Sequence, residues 1–366
     1  MARIHFAGVL SLVLLTAAAQ GQTPSSGGTT YLVGTCMPNM PTFSTISAAL
    51  AATPAPSVVK VCSGTYNEQI EITKPVTLEG VTAGNAGQAI VAVPSGGLIP
   101  NTTSLIGELA SQLWVNNVAG TVNVTDITFD GLNDGTDYGY VVGIYFENTA
   151  GTVNRVTTRN HQNRGSGIGV LVEGGASNPT VTVENSSVHD FDLTGIEAET
   201  TGAGASELNA TIKANSVKNT AGIPTLGIEI TDGSTSSVSG NWVALPGIGS
   251  GIAAVTGASG SIENNTIFGA YEGVFTEADG VEVSNNKMVG SAYSGLGVAT
   301  SVGSVHGNTL IGGPVGVEGE CVAGANVHSN TINDAATGVN DVLDGIPANN
   351  SYYNVGTIRS IGYCSN

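Results

Sequence analysis

The sequence is poor in charge, and above all in positive charge. Its 366 residues include 10 Lys and Arg against 28 Asp and Glu, which gives a net charge of −18. So acidic a chain is repelled by nucleic-acid phosphates and by anionic membrane surfaces, and we expect neither as a partner. A polyuronate substrate would also be repelled unless calcium or local cations offset the charge. Neutral or weakly charged glycans are compatible with this net charge as partners.

Long hydrophobic runs are missing except at the N-terminus. Residues 6–19 form an apolar run that follows Arg3 and ends in small residues at 17–19, the pattern of a cleaved secretory signal. The run is shorter than the roughly 20 residues that a membrane span requires. We therefore expect a signal peptide over 1–19, a flexible linker over 20–30, and a secreted protein, extracellular or periplasmic, without a membrane span after cleavage.

Cysteine is scarce, with four residues that lie toward the two ends of the mature chain. An oxidising compartment favours disulfides, and pairing within each end, Cys36 with Cys62 and Cys321 with Cys364, is the simplest of the three connectivities. Metal binding by these thiols is the alternative, but the sequence contains no CxxC spacing that would support it.

Glycine, in contrast, is abundant, with 52 residues, while 41% of the chain is hydrophobic. This composition is too apolar for a disordered chain and too rich in glycine for a helical one. We expect one elongated domain, and a monomer.

A repeat dominates the second half of the sequence. The segments "SGSIENNTIF", "VEVSNNKMV", "GSVHGNTLI" and "ANVHSNTIN" all place an apolar residue three positions before an Asn and another two positions after it. These Asn residues are 21 or 22 residues apart: Asn265, Asn286, Asn308 and Asn330. At longer spacings the same frame extends backwards through Asn241, Asn215, Ser186, Val156 and Ile127. A glycine with apolar neighbours follows each copy: Gly143, Gly169, Gly195, Gly227, Gly251, Gly273, Gly295, Gly316 and Gly338.

Copies this short cannot bury a hydrophobic face alone, so neighbouring copies must stack into a solenoid. The short apolar alternation predicts parallel strands with rungs about 4.8 Å apart. At that spacing, inward-pointing amides hydrogen-bond from rung to rung, which predicts an internal ladder from Asn215 to Asn330. Asn219 lies outside the register and is expected to be replaceable at little cost. A β-sandwich with Asn in its turns is the alternative, but a sandwich does not keep a 22-residue register.

The segment before the first repeat predicts a short helix. In residues 43–57, Ser44 or Thr45 can cap a helix whose small apolar face leads to Pro54, and such a helix can cover the open end of a solenoid. We therefore expect an N-terminal cap over 31–57, a parallel β-helix over 58–350 and a C-terminal tail over 351–366.

The same N-terminal region carries a family resemblance. The run "TISAALAA…VVKVCSGTYNEQIEITKPVTLEG" resembles the opening of right-handed parallel β-helix proteins of the pectin lyase-like superfamily, notably pectinesterases, and the "SNN", "GNT" and "SNT" rungs resemble their repeats. The resemblance implies an all-β fold, a right-handed parallel β-helix with an N-terminal capping helix. It does not imply one activity, because the superfamily includes lyases, hydrolases, esterases, epimerases, tailspikes and adhesins.

The catalytic motifs of these enzymes are not found in the sequence. The Asn-Thr-Asp, Gly-His-Gly and Arg-Ile-Lys elements of polygalacturonases are absent, as are the Leu-Gly-Arg-Pro-Trp element of pectinesterases and the Trp-x-Asp-His element of pectate lyases. The segment "DFDLTG" at 190–195 matches the Asp-Phe-Ile-Phe-Gly element of pectinesterases only in part. No catalytic residue can be transferred from the family.

A row of charged side chains is the first candidate site. Three residues after the ladder position, the first four copies carry Asp130, Arg159, His189 and Lys218, and the connections nearby add His161, Arg164, Asp190 and Asp192. If the coil is regular, the four side chains of the row project side by side. The cations Arg159 and Lys218 would keep His189 neutral, as a general base requires. Asp130, Asp190 and Asp192 are further catalytic candidates, and His161 and Arg164 are substrate-binding candidates. The alternative is that these residues are solvated, or paired as Asp–Arg across rungs.

A column of acidic residues follows the recurring glycine and is the second candidate. Four residues after it stand Glu147, Glu173, Glu199, Glu277 and Glu320, and on the outward face beside them stand Glu197, Glu229 and Glu318. Carboxylates one rung apart suit glycoside hydrolysis or calcium binding, so calcium is a possible cofactor although none is required. The alternative is a solvated outward face. We expect Glu147, Glu173, Glu199 and Tyr145 to bind substrate, and Tyr138, Tyr140, Tyr271 and Phe275 are further aromatic candidates for contact with a glycan.

Three classes of function fit these features. The first is an enzyme acting on extracellular polysaccharide, as a lyase, epimerase or glycoside hydrolase of pectin-like glycans. The second is a glycan-binding protein, and the third is a non-catalytic structural or adhesive surface protein.

Overall fold

The computed structural model describes residues 28–81, 87–133, 139–201, 207–220, 225–299, 303–319, 327–340 and 349–360. The expected signal peptide, most of the expected linker, Tyr138, Glu320, Cys321 and Cys364 lie outside the described residues.

The chain winds into a parallel β-helix whose turns each pass through three sheets, here named A, B and C. Every strand pairs in parallel with its equivalent in the next turn, as Val183 with Ile212 in sheet A, Val188 with Val217 in sheet B and Ile196 with Ile228 in sheet C. The predicted right-handed parallel β-helix is confirmed.

Sheet A begins each turn, and its described strands are Thr30–Val33, Thr42–Phe43, Val58–Val61, Val76–Gly80, Thr121–Thr125, Ala150–Asn154, Thr180–Glu184, Asn209–Lys213, Thr235–Ser239, Ser259–Glu263, Gly280–Ser284, Ser304–His306 and Val327–His328. Sheet B follows, with Gly64–Asn67, Ala89–Ala92, Ile127–Asp130, Thr157–Arg159, Ser187–His189, Ser216–Lys218, Trp242–Ala244, Thr266–Phe268, Lys287–Val289, Thr309–Ile311, Thr331–Asn333 and Ser351–Tyr353.

Sheet C completes the turn, with Ile70–Ile72, Gly107–Asn116, Tyr140–Glu147, Gly167–Gly174, Thr194–Thr200, Leu226–Ile230, Ser250–Ala254, Glu272–Thr276, Ser294–Val298, Val315–Gly319, Thr337–Asn340 and Thr357–Ser360. The strand Thr102–Ser104 pairs antiparallel with Gly107–Asn116. The coil therefore extends past both expected boundaries, since Thr30–Val33 precedes residue 58 and Thr357–Ser360 follows residue 350.

The core is a column of aliphatic side chains that fills the coil. Alternation places these residues inside: in Thr180–Glu184 the two valines are buried, while the other three residues are exposed or half-buried. Burial of this apolar surface is the main stabilising term of a solenoid, because each rung contacts only its neighbours.

The predicted asparagine ladder is confirmed and is one rung longer than expected. The Oδ1 of Asn286 accepts from the backbone N–H of Asn265 at 3.0 Å and from its Nδ2 at 2.9 Å. The same two bonds join each consecutive pair along Asn215, Asn241, Asn265, Asn286, Asn308, Asn330 and Asn350. Ser186 continues the ladder toward the N-terminus, since its backbone N–H donates to Asn215.

The expectation for Asn219 was wrong. Its residue is 2% exposed, so it is a buried polar group rather than a replaceable surface residue. Asn219 directly follows the strand Ser216–Lys218, and its backbone N–H donates to the carbonyl of Ala244 at 3.1 Å. A position outside the repeat register can therefore still be buried.

The recurring glycine after each repeat is explained by a close approach in sheet C. A Cβ on Gly251 would lie 2.4 Å from Cγ2 of Ile267 and 2.6 Å from the carbonyl oxygen of Gly273. Any side chain at this position would clash with both, so the coil requires glycine there.

The predicted N-terminal helix is confirmed as Ile46–Leu50. The Oγ1 of Thr45 accepts from the backbone N–H of Ala48, so Thr45 is the cap. The Glu68 carboxylate accepts from the backbone N–H groups of Ile46 and Ser47 at 2.7 and 2.9 Å. Ile46 and Ala49 are fully buried, and the helix therefore covers the first rungs. None of the described helical residues forms a segment with the length and hydrophobicity required to span a bilayer.

The disulfide between Cys36 and Cys62 is present and closes a loop with a sequence separation of 26 residues. It joins Cys36, which follows the strand Thr30–Val33, to Cys62, which follows the strand Val58–Val61. In the chain-entropy account, a loop of this size stabilises the fold by about 3 kcal/mol.

We expect the double replacement Cys36→Ser and Cys62→Ser to lower the free energy of unfolding by about 3 kcal/mol. Denaturant unfolding measures the change, and peptide mapping of the wild-type protein should link these two residues. An unchanged unfolding midpoint would contradict the stabilising role.

Candidate functional site

The charged row predicted on sheet B exists in the predicted register. Asp130 pairs with Arg159, Arg159 with His189, and His189 with Lys218 on consecutive strands. The repeat frame therefore identified the correct neighbours across gaps of about 30 residues.

The first two members of this row are engaged with each other. Arg159 Nε donates to Asp130 Oδ2 at 2.8 Å, and the other carboxylate oxygen of Asp130 accepts from Asn160 Nδ2 and from the backbone N–H of Leu132. These hydrogen bonds outweigh partial burial and hold the pKa of Asp130 below its ordinary value. This is the Asp–Arg pairing that the alternative interpretation of the row describes.

His189 of this row and the nearby candidate Asp192 also have structural partners. His189 Nδ1 lies 2.7 Å from Asp190 Oδ2, so its immediate neighbour is a carboxylate. Asp192 is buried, and its carboxylate accepts from the backbone N–H groups of Asn163, Gly165 and Gly167. Asp192 therefore fixes the preceding connection through these backbone groups.

The two residues expected to bind substrate beside this row lie in different environments. His161 is 1% exposed, and its Nε2 lies 2.8 Å from Gln112 Oε1 inside the coil. Burial lowers the pKa of His161 to about 4, so it is neutral, but it does not reach the surface. Arg164 lines a surface cavity of about 270 Å³ together with Asn133, Gln162, Asn163 and Asp192.

The two columns of acidic residues that the sequence predicted lie side by side on the outer surface of sheet C. Glu147, Glu173 and Glu199 occupy three consecutive rungs of one column. In the neighbouring column, Glu197 lies on the same rung as Glu199 and pairs with Glu229 on the next rung. We call Glu173, Glu197, Glu199 and Glu229 the carboxyl cluster.

One end of the carboxyl cluster is fixed by aromatic and backbone donors. Tyr145 donates from its hydroxyl to Glu173 Oε1 at 3.0 Å, and the backbone N–H of Leu105 donates to Glu173 Oε2 at 3.1 Å. Trp114 Nε1 donates to Glu147 Oε2 at 2.7 Å. Tyr145 is fully buried and packs between Trp114 and Leu171, so it orients Glu173 instead of contacting a glycan.

Glu197 and Glu199, in the middle of the carboxyl cluster, are buried. Glu199 is 0% exposed and Glu197 is 4% exposed. In the part of the chain that the structure describes, Oε2 of Glu197 has no hydrogen-bond partner. The protonated carboxyl group of Glu199 has the neighbouring carboxylate of Glu173 as its acceptor. A buried ionised carboxyl in this state is strongly unfavourable, so these groups retain protons.

The proton affinities of the cluster follow from burial and mutual repulsion. Burial, together with Glu197 and Glu173, raises the pKa of Glu199 to about 10. Burial and the Glu229 charge raise the pKa of Glu197 to about 8, while burial and Asp232 raise the pKa of Glu229 to about 7. Burial also raises the pKa of Glu173. Glu229 is only half-buried, which makes it the accessible member of the pair that it forms with Glu197.

The sequence placed these residues in the correct columns but did not predict their burial. The outward alternation suggested a solvated face, whereas Leu109, Val142, Tyr145, Ile168 and Leu171 form a second apolar cluster outside the coil. A run of apolar residues at outward positions of Tyr140–Glu147 and Gly167–Gly174 was the signal that this face is covered. Among the described residues, no group of three or more His, Cys, Asp or Glu side chains is arranged to hold a metal ion.

Comparisons with known proteins agree with this architecture. Residues 142–310 match the family described as a right handed beta helix region. No curated protein matches the sequence.

Solved structures with the same fold are similar at low identity. The DFA-IIIase from Arthrobacter chlorophenolicus A6, in complex with GF2, is 15% identical over 84% of this chain and 88% of that chain, with a TM-score of 0.53. The GH136 lacto-N-biosidase from Eubacterium ramulus is 10% identical over 88% of this chain and 67% of that chain, with a TM-score of 0.53. The Streptococcus pneumoniae surface protein and adhesin PfbA is 13% identical over 84% of this chain and 92% of that chain, with a TM-score of 0.50. The family match and these likenesses agree with the right-handed parallel β-helix fold of the chain.

Proposed function

We propose that this protein is secreted and cleaves a glycosidic bond of a neutral extracellular glycan on the outer face of sheet C. The observation that supports this function is the carboxyl cluster, in which buried carboxyl groups on adjacent rungs have raised pKa values. Such a cluster destabilises the fold, and perturbed carboxyl groups of this kind concentrate at catalytic sites. The Cys36–Cys62 disulfide supports an oxidising location outside the cytoplasm.

Glu229 and Glu197 carry the chemistry in this proposal. With pKa values of about 7 and 8, the pair holds about one proton between its two carboxyl groups at slightly alkaline pH. In the reactive form of the pair the shared proton lies on Glu229, the more accessible group, which donates it to the departing glycosidic oxygen as the C–O bond breaks. The Glu197 carboxylate, one rung of about 4.8 Å away, bonds to the anomeric carbon as the leaving group departs. Water then cleaves this ester, giving its hydroxyl to the anomeric carbon and its remaining proton to Glu229.

The charge of this face favours a hydrolase over a lyase or an epimerase of uronates. Those two reactions require cations or calcium near the substrate carboxylate, and the outer face of sheet C instead presents glutamates from Glu147 to Glu318. The cations of the row lie on sheet B, where Arg159 is bound to Asp130. The DFA-IIIase and the lacto-N-biosidase are among the similar structures, and both names agree with a sugar-cleaving site on this fold.

The test is release of reducing ends from a panel of neutral polysaccharides by the purified protein. Glu229→Gln should lower the rate at least about 100-fold, because the proton donor is lost. Wild-type activity should be highest between about pH 7 and 8, where the pair holds one proton, and should fall on either side.

The matched control is His189→Ala, which removes the central member of the charged row on sheet B and should leave the activity intact. Full activity of Glu229→Gln, or loss of activity in His189→Ala alone, would move the site away from sheet C. Absence of any product release would instead favour a binding or adhesive role.

A further inference from the structure

The strands of sheet B differ in charge from the rest of this acidic chain. They contain one acidic residue among the described positions, Asp130, which is bonded to Arg159. The described strands of sheet C contain many more: Glu71, Glu108, Glu147, Glu173, Glu197, Glu199, Glu229, Glu272 and Glu318. Because Lys218 and Lys287 join Arg159, sheet B is the one sheet whose described strands hold more Lys and Arg than Asp and Glu.

Lys218 and Lys287 lie on the first and the fourth of four consecutive turns. The four strands pair in register, and each has a buried central residue between exposed or half-buried neighbours: Ser216–Lys218, Trp242–Ala244, Thr266–Phe268 and Lys287–Val289. Both lysines are exposed, and neither forms an ion pair with a residue that the structure describes. Three rung spacings, about 14 Å along the coil, separate these two positive charges.

Two aromatic side chains stand on the turns between the lysines. Trp242 is 41% exposed, and its ring centroid lies 5.8 Å from that of Phe268 on the next turn. Val289 and Ile311 continue the outward column of Phe268 on the following two turns. An outward apolar surface that is bordered by charge is typical of an interaction site. We call Lys218, Trp242, Phe268 and Lys287 the basic aromatic patch.

The nearest acidic side chains have other partners or stand on other sheets. Asp190, which follows the sheet B strand before Lys218, is bonded to His189 and to Thr220. In the strands of the same four turns, the acidic residues are on sheets A and C: Glu229, Glu263, Glu272 and Glu282. The basic aromatic patch is therefore a local positive surface on a chain with a net charge of −18.

The shape of the basic aromatic patch fits a linear ligand. Its four turns measure about 19 Å along the coil, and three strand residues measure about 10 Å across it. The resulting area is about 200 Å², whereas each partner of a standard protein interface buries about 800 Å². The patch is thus too small for a stable protein interface, and an extended chain of sugar units covers it along its length.

We infer that the basic aromatic patch binds an acidic linear glycan, whose sugar rings bear carboxylate or sulfate groups. The C–H face of a sugar ring packs against the negative faces of the Trp242 and Phe268 rings. Anionic groups of the same glycan chain pair with Lys218 and Lys287 at the two ends of the patch. An anionic ligand binds on this face because sheet B locally offsets the charge of the whole chain.

This binding site is separate from the proposed function. The patch lies on sheet B and the carboxyl cluster lies on sheet C, so neither requires the other. In this account, sheet B holds the protein on an acidic polymer while sheet C acts on a neutral glycan.

The experiment is isothermal titration of the intact mature protein with acidic hexasaccharides. The probes are hexagalacturonate, which bears carboxylates, and a carrageenan hexamer, which bears sulfates. At least one of them should bind, and the one that binds more tightly identifies the anionic group. The affinity should fall at least about 10-fold when salt is raised from about 50 mM to about 500 mM, because exposed ion pairs are screened.

Variants locate the patch. Lys218→Ala and Lys287→Ala should each weaken binding of the acidic hexamer about 3-fold, and the double variant about 10-fold. Trp242→Ala should weaken it at least about 10-fold, whereas Trp242→Phe should keep most of the affinity, because an aromatic ring remains.

The matched controls remove similar side chains from other faces of the coil. Lys213→Ala removes a 47% exposed lysine that is bound to Glu184 on sheet A. Tyr271→Ala removes a 45% exposed aromatic ring next to sheet C. Both controls should bind the acidic hexamer as the wild type does.

Three results would overturn the inference: neither acidic hexamer binds, the double lysine variant or Trp242→Ala binds as the wild type does, or Lys213→Ala loses as much affinity as the double lysine variant. Glu229→Gln should bind the acidic hexamer with wild-type affinity. Failure of the catalytic assignment on sheet C therefore leaves this binding unchanged, and the two proposals are tested independently.

Discussion

Replacing Glu199 by Gln should stabilise the protein at pH 8 by at least about 2 kcal/mol. Glu199 is fully buried beside the carboxyl groups of Glu173 and Glu197, and its pKa is raised to about 10. Keeping this carboxyl protonated at pH 8 costs free energy, because the same group is ionised in the unfolded chain. Gln has the same shape without a charge and removes that cost.

The pH dependence has a definite sign. The pKa values of Glu197, Glu199 and Glu229 are raised on folding, so the folded state binds more protons than the unfolded state above about pH 4.5. Their favourable contribution is complete below that pH and is lost as pH rises through about 7, 8 and 10. The free energy of unfolding should therefore fall by several kcal/mol between pH 5 and pH 8.

Urea unfolding at pH 5 and pH 8 measures both effects. Glu199→Gln should stabilise strongly at pH 8 and little at pH 5, which reduces the slope. Glu108→Gln removes the same charge from an exposed position and should leave the slope unchanged. If Glu199→Gln unfolds within about 0.5 kcal/mol of the wild type at pH 8, the carboxyl is not held protonated by the fold.

Replacing Asn286 by Leu should destabilise the protein by at least about 3 kcal/mol. The Nδ2 of Asn286 donates to the carbonyl of Ile262 at 2.8 Å and to Oδ1 of Asn308 at 3.0 Å. Its Oδ1 accepts from the backbone and the side chain of Asn265. Leucine removes all four bonds, and the partners on both adjacent rungs remain buried without them.

The control for the ladder is Asn209→Leu, an exposed asparagine in the sheet A strand Asn209–Lys213, which should change the free energy of unfolding by less than about 0.5 kcal/mol. Asn219 is unsuitable for this purpose, because it is buried. Equal losses of stability in Asn286→Leu and Asn209→Leu would contradict the ladder.

The repeat architecture could be predicted because one physical constraint acts on every turn. Stacked rungs place equivalent residues in contact, so a recurring asparagine reports its hydrogen bond to the next asparagine, and Asn350 extends the series that the sequence showed up to Asn330. In the same way, the recurring glycine indicates a position in sheet C where atoms of neighbouring residues approach the backbone closely. Even the charged row from Asp130 to Lys218 is in the predicted register.

The environment of each side chain could not be predicted in this way. Register gives neighbours within a sheet, but burial depends on connections that fold over the coil. His161 and Asp192 were expected near a substrate, and both are buried, each in a different connection between sheets B and C. Glu199 was expected on a solvated face, and it is buried beside the apolar cluster of Tyr145 and Leu171.

Tyr293 shows the same limit. The sequence indicated Tyr271 and Phe275 as aromatic residues that could contact a glycan, but Tyr293 lies in a different repeat and has no distinguishing motif. Its position beside Tyr271 follows only from the register of consecutive turns, which places the two rings against each other.

The central claim is that the carboxyl cluster keeps protons at neutral pH, and difference infrared spectroscopy of the carboxyl stretch tests it most directly. The wild-type protein at pH 7 should show a band from protonated carboxyl groups that disappears only as pH is raised from about 7 toward 10. Glu199→Gln should remove the component that titrates last, and Glu229→Gln the component that titrates first, while Glu108→Gln changes neither. A wild-type spectrum at pH 7 without protonated carboxyl groups would contradict the claim.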